Sequence, residues 1–558
     1  MTITDQPASS FPFLGLPSEI QYKICTLFCR HCQPAASPFA TLFAPAGAPF
    51  QALKALSETC HSLKEMAQPI LYHYPDVKSY TSFFKAVIAR PDLAASVRVF
   101  ARYYEADRSP YKSSPSVYSR EDTVYLIQLG QKFGLEEDGN NRDSENDFGP
   151  RDDVNFKRCF EYLEDTPIGD QEGYTMMISQ AAYYSFLTAL HFAILPRLEF
   201  VMIDIEDGRS WVRSHPLSSG RLLLTYPYLK QAIAGNPDHF SHLNAVVFRS
   251  SFHYREESLG LESVAYMLSA IPNVRVVFFD MLRGMKPRSH QDPDLFPEPP
   301  ELSWSVLPQL QEIYFDPCAR PKSPPPIAAI SNMLQRCSRL KKLVYRHKYP
   351  DQFTPTTLFS PTKLCNAIAS TQGTLQHLEI YCSSAKIPLF ASEQLIDYRL
   401  KDFTTLKTLA LDEELFCKHW HKEAYLDSDA CLVRILPDNI SSLTVRLHDK
   451  FKAVPDIIRL GRDKALGHYP KLSSLEVHIL HDADAPDDHH NVNQVEEAFD
   501  SEYLLHAIPP KKWEETLREL ADKIRPAIVT SFQDTDVVVD VRYVYERLFS
   551  WNRMPWRQ

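Results

Sequence analysis

Glycine is scarce in this sequence, 16 of 558 residues. Phosphate-cradling loops need glycine where the backbone bends sharply or closely approaches a ligand. Neither GxGxxG nor GxxxxGK[ST] occurs, and no GxSxG elbow marks a nucleophile, so no enzymatic chemistry and no cofactor are expected. Long apolar runs are missing too. No stretch approaches the roughly 18 residues of a membrane span, so no membrane partner is expected. Positive charge is not in excess: the net charge is −10, where a nucleic-acid partner would need a basic surface. The opening "MTITDQPASS" has neither a basic leader nor an apolar core, so it does not read as a secretory signal. Cysteines number 11, odd and scattered, which suits a reducing compartment better than a disulfide framework. A cytoplasmic or nuclear chain is the expectation.

Proline, by contrast, is plentiful at 42. Residues 33–49, "QPAASPFATLFAPAGAP", read as a Pro/Ala-rich connector, and four further stretches read as mobile insertions, near 136–153, 287–300, 317–326 and 481–494. At this length and 44% apolar content, several domains or one extended repeat array are expected.

Along the chain one apolar pattern recurs: apolar, two variable residues, apolar, one variable, apolar. It appears at Leu198-EF-Val201-M-Ile203, Leu243-NA-Val246-V-Phe248 and Val274-RV-Val277-F-Phe279. It continues at Leu310-QE-Ile313-Y-Phe315, Leu340-KK-Leu343-V-Tyr345 and Leu375-QH-Leu378-E-Ile380. The last three are Leu406-KT-Leu409-A-Leu411, Ile440-SS-Leu443-T-Val445 and Leu472-SS-Leu475-E-Val477. Successive starts lie 45, 31, 36, 30, 35, 31, 34 and 32 residues apart. In an extended strand the fourth and sixth positions share one face, and the third, fifth and seventh share the other. Helical patterning precedes several motifs, as in "PIAAISNMLQRCS" before Leu340. One strand and one helix per unit, stacked side by side, bury a core that no single unit could bury. The pattern resembles the leucine-rich repeat in a long, irregular form. An ordinary α/β domain with a parallel sheet would share the same alternation.

The N-terminal segment is helical by pattern. Pro17 suits the first position of a helix, Glu19 complements the helix dipole in the first turn, and Ile20, Ile24, Leu27 and Phe28 form one stripe. A second helix carries Leu53, Leu56, Cys60, Leu63, Ala67 and Ile70, with Pro69 expected to end or kink it. Two short amphipathic helices cannot make a large core alone, so they are expected to pack on the repeats or to leave apolar surface for a partner.

"LPSEIQYKICTLF" followed by "ALKALSETCHSLKEMAQPILYHY" resembles the F-box that opens many fungal F-box/leucine-rich-repeat proteins. Leu16, Pro17, Glu19, Ile20, Ile24 and Leu27 match its first part, and Leu53, Leu56, Cys60, Leu63 and Ala67 its second. The fold expected from this resemblance is α/β: a disordered 1–11, an F-box-like helical domain over 12–74, and an irregular repeat domain of parallel strands over 75–558. The resemblance implies docking on a Skp-family adaptor, membership of a cullin-scaffolded ubiquitin ligase, and an unidentified protein substrate held by the repeats. Leu16, Pro17, Glu19, Ile20, Ile24, Leu27, Leu56, Cys60 and Leu63 would then form the adaptor surface.

Two clusters have the residue types of metal ligands. Cys29-x2-Cys32, near His31, Cys25, Cys60 and His61, invites a zinc reading. Cys25 and Cys29 also sit at i and i+4 of the first helix, where cysteine is a small apolar filler, and no second pair follows at a firm spacing, so no metal is expected there. "HDADAPDDHH" at 481–490 reads as a solvated acidic loop. The seventh motif position holds Asp204, Arg249, Asp280, Asp316, Arg346, Tyr381, Asp412, Arg446 and His478. Parity puts these on the face opposite the buried residues, with Tyr314, Lys342, His377 and Glu379. In a leucine-rich repeat that face is concave, and a mixed-charge groove would select a protein substrate by electrostatic complementarity.

Overall fold

Nine strands coincide with the nine motifs. The computed structural model describes residues 13–33, 48–75, 80–100, 120–135, 186–205, 235–250, 273–280, 309–316, 327–348, 361–383, 398–416, 431–447, 453–482 and 510–546, with a few single residues besides. The segments 136–153, 287–300, 317–326 and 483–494 lie outside them, as do 1–12 and 34–47 of the connector. The chain is α/β. Strands β1 (Val99–Phe100), β2 (Phe200–Ile205), β3 (Ala245–Ser250), β4 (Val276–Asp280), β5 (Glu312–Asp316), β6 (Lys342–Lys348), β7 (His377–Ser383), β8 (Thr408–Asp412), β9 (Ser442–Leu447), β10 (Ser474–Asp482) and β11 (Val538–Glu546) follow one another in chain order in one all-parallel sheet. Two compact units divide the chain, one mainly of residues up to Ile203 with Leu224–Ala245, the other mainly from Val246 onward. The N-terminal helices therefore share a unit with β1.

The pairing register follows the motif. The third position of each strand pairs with the third position of the next: Val276 with Glu312, Glu312 with Lys342, Lys342 with His377, His377 with Thr408, Thr408 with Ser442, and Ser442 with Ser474. The first, fourth and sixth positions of all nine motifs are buried, among them Leu340, Leu343 and Tyr345. The turn before most strands is held by a shared acceptor. The Lys341 carbonyl accepts N–H groups from Gln376 and His377 at 2.8 and 2.9 Å, and Arg275, Gln311, Gln376, Lys407 and Ser441 do the same for the strands that follow them. Turn backbone groups that would otherwise be buried unpaired are thereby satisfied. Two strands lie outside the nine motifs, β1 and β11; the Arg98 carbonyl before β1 accepts Glu199 and Phe200 in the same way, and the Ser473 carbonyl accepts Val538 alone.

Helices precede several strands: Ile327–Leu334 before β6, Pro361–Ile368 before β7, Val454–Ala465 before β10 and Pro510–Ser531 before β11. The opposite face is less open than parity alone implies. The fifth-position residues Met202, Val247, Phe278, Tyr314 and Val344 are buried as well. Strands apolar on both parities, such as "AVVF" and "VVFF", belong to a sheet covered on both faces. Polar fifth positions appear further on, at Glu379, Thr444 and Glu476.

At the N-terminus three helices pack together: α1 (Ser18–Leu27), α2 (Ala48–Thr59) and α3 (His61–Leu71). Their core is Cys25, Cys29, Leu53, Ala67 and Ile70, with Phe13, Phe28, Leu56 and Met66 against it. The stripe from Leu53 to Ile70, read from sequence as one helix, is broken at Cys60, whose extended backbone (φ −154°, ψ 165°) caps α3. The cause is local. Ser57 and Thr59 donate their hydroxyls to the Lys54 and Leu56 carbonyls at 2.7 and 2.8 Å, hydrogen bonds that compete with helix continuation. Pro69 lies inside the last turn of α3, which ends two residues later.

Candidate functional site

Helix α1 buries an unexpected side. Pro17 precedes it by one residue, and its carbonyl accepts the N–H groups of Ile20 and Gln21. Cys25 and Gln21 point inward, and the Gln21 amide is satisfied by donating to the Leu16 carbonyl at 2.7 Å and the Leu14 carbonyl at 3.3 Å. Apolar residues remain outside: Leu14 is 56% exposed, Ile20 41%, Tyr22 47% and Leu27 67%. Pro17 and Glu19 are exposed with them, and Leu16 and Ile24 are half-buried. A helix that hides a glutamine and displays isoleucine and leucine leaves an apolar patch of the kind that marks interaction surfaces. Of the other proposed adaptor contacts, Cys60 is exposed, Leu56 is half-buried, and Leu63 is buried, so Leu63 supports the helices from inside.

A second constellation forms just past α1. The helix stops at Leu27, so Cys29 does not occupy the i+4 helical position expected for it. It lies instead in a turn where Cys32 and Gln33 donate their N–H groups to the Cys29 carbonyl, both at 3.1 Å. Cys25 does fill the core as expected. His73, past the end of α3, reaches the same turn: its Nδ1 lies 3.7 Å from Cys29 Sγ and 3.3 Å from Cys32 Sγ. His31 Nδ1 is 3.7 Å from Cys32 Sγ, and its Nε2 is 3.2 Å from Glu199 Oε2. Hydrogen bonding from Cys32 outweighs burial and holds the Cys29 thiol low, while the same contact pushes Cys32 up. Burial alone would lower the His31 pKa, but hydrogen bonds to Cys29 and Glu199 lift it to about 9. The local sequence did not point to His73, because it enters from 41 residues away.

The third constellation is on the strands of the second unit. Glu379 on β7 accepts from His377 and lies 3.9 Å from Lys342 Nζ. Burial would raise its pKa, yet the His377 hydrogen bond and the charges of His377, Arg346 and Lys342 take it down to about 2. Lys342 sits 5.3 Å above the Tyr314 ring, and the Tyr314 hydroxyl donates to Glu312 at 2.7 Å. Arg346 and Arg446 lie 5.4 and 4.2 Å from the centre of the Tyr381 ring. Arg446 Nε is 3.4 Å from Asp412 Oδ1, both side chains being buried. His478 pairs with Glu476 at 3.1 Å, and burial lowers its pKa. Thus Arg346, Tyr381, Asp412 and Arg446 are brought together as a self-paired cluster, half-buried to buried, and not as an open row. The side chains of Asp204, Arg249, Asp280 and Asp316 lie outside the described residues.

No family model matches this sequence, and no curated protein is similar to it at a significant level. The three constellations therefore stand on their own geometry.

Proposed function

We propose that this chain is the substrate-recognition subunit of a Skp–cullin–F-box ubiquitin ligase, with α1 to α3 serving as an F-box and the strands as irregular leucine-rich repeats. The observation that carries the proposal is the outward apolar stripe of α1, Ile20 and Leu27 at i and i+7, with exposed Leu14 just before the helix and Pro17 and Glu19 exposed beside it. The in-register recurrence of nine motifs, each at the start of a strand, supports the repeat assignment. In this role the chain does no covalent chemistry. It docks on a Skp-family adaptor, meets the cullin scaffold through it, and holds a protein substrate so that a lysine of that substrate stays near the charged ubiquitin carrier. Its contribution is effective concentration and positioning. Substrate selection by the mixed charge of the strand face, and a cytoplasmic or nuclear compartment, belong to the same proposal.

Co-purification tests the proposal. The wild type should recover adaptor and cullin, and Ile20→Asp/Leu27→Asp should not; both positions are exposed, so the helices should persist in the variant. A chain that captures a protein ligand but never the adaptor would instead be a repeat scaffold with a degenerate F-box.

A further inference from the structure

We propose that Cys29, His31, Cys32 and His73 bind one structural zinc ion. The four donor atoms all lie within 4.8 Å of one another, and three of the four sulfur–nitrogen distances are 3.3, 3.7 and 3.7 Å. A tetrahedral zinc with Zn–S about 2.3 Å and Zn–N about 2.0–2.1 Å has sulfur–nitrogen edges of about 3.6 Å. The two imidazole rings meet edge-on, 85° apart with centroids at 5.3 Å, as two rings aimed at one point from different sides would. Two thiolates and two imidazoles match zinc in softness, and together they neutralise its charge.

A separate observation points to the same ligand role. Zinc-bound histidines usually donate their other ring N–H to a carboxylate, which fixes the tautomer and raises ligand basicity. His31 does this: its Nε2 faces Glu199 Oε2 at 3.2 Å, leaving Nδ1 toward the sulfurs. Glu199 is in turn held by Arg98 Nε at 3.5 Å. The carboxylate comes from 168 residues further along the chain.

Four protein ligands leave no open coordination position, so the ion would be structural. It would fasten the end of α1 to the end of α3. The His73 carbonyl also accepts the N–H groups of Arg98 and Val99 at 3.0 and 2.9 Å, so the same clamp reaches β1. The two alternatives explain less of the geometry. A disulfide between Cys29 and Cys32 would leave both histidines without a purpose there. A cysteine nucleophile would need access, and Cys29 is buried. The inference does not depend on the ligase proposal.

The test uses the full chain purified under reducing conditions without chelator. Mass spectrometry of the metal content should give one zinc per chain. Cobalt substitution should give the intense visible bands of a tetrahedral site together with thiolate-to-cobalt charge transfer. Cys32→Ser and His73→Gln should each lose the zinc, while exposed Cys60→Ala and the double variant His489→Ala/His490→Ala in the acidic stretch should keep it. Should the ligand variants fail to fold, Glu199→Gln leaves all four ligands and should weaken zinc binding about 10- to 100-fold against a competing chelator. A zinc-free wild type, an octahedral cobalt spectrum, a Cys29–Cys32 disulfide in freshly lysed cells, or zinc that survives Cys32→Ser, His73→Gln and Glu199→Gln would each overturn the proposal.

Discussion

Replacing Glu379 by glutamine should make the middle of the sheet less stable at neutral pH and leave it unchanged in strong acid. In the folded chain its pKa falls from 4.5 to about 2, through His377, Arg346 and Lys342 acting against its burial. A group with a depressed folded pKa contributes stability that is complete above its unfolded value and is lost as pH falls through the folded value. The window is therefore about pH 4.5 down to about 2. A fall of about 2.5 units corresponds to about 3 kcal/mol at 1.36 kcal/mol per unit. The side chain is 16% exposed, so solvent screening trims this to about 2 kcal/mol. Glutamine keeps an acceptor for His377 and loses only the charge. Amide hydrogen exchange on peptides from β6 to β8, compared between wild type and variant at each pH, cancels the intrinsic exchange rate. Exchange in the variant should be about thirtyfold faster at pH 7, and the difference should shrink towards nothing near pH 2. A difference that is the same at pH 7 and pH 3, or none at pH 7, would refute the assignment of Glu379 as the charged centre of this cluster.

Two further substitutions probe the packing. A Cβ on Gly461 would come within 2.5 Å of the Ser531 carbonyl oxygen, where the helix Val454–Ala465 meets the helix Pro510–Ser531, so Gly461→Ala should lower stability by about 1–3 kcal/mol, read as a lower urea midpoint. Removing Arg446 leaves the buried Asp412 without its nearest cation, so Arg446→Met should cost about 3–5 kcal/mol, and Arg446→Met/Asp412→Asn should recover much of that loss in a double-mutant cycle. Equal losses in the single and double variants would refute the pairing.

The Arg446 case also shows where the sequence was legible. The motif placed nine strands because its first, fourth and sixth positions are the buried ones, and the register preserves that frame from β4 to β10. The same parity argument put Asp412 and Arg446 on a polar face. What it did not contain is that Asp412 and Arg446, opposite each other on the neighbouring strands β8 and β9, pair and are buried, with Arg446 over the Tyr381 ring. Strand β1 escaped notice because it is two residues long, and β11 because its "VVVDVRYVY" lacks the leading leucine. In the helices, Ile20 and Leu27 were legible as an apolar stripe, but not that Gln21 and Cys25 would take the inward side. Cys29 was read as a helical residue because nothing local marks the helix end at Leu27, and His73 and Glu199 join it only through tertiary contacts.

The central claim is that the outer face of α1 is an adaptor-docking surface. Its most direct test is the affinity of the purified full chain for a purified Skp-family adaptor, measured by calorimetry for wild type and for Ile20→Asp/Leu27→Asp. Two buried apolar anchors replaced by charge should cost about 2 kcal/mol or more each, so binding by the wild type should fall by at least a hundredfold in the variant. Equal affinity in the two proteins, or no binding by a folded wild type, would contradict the claim.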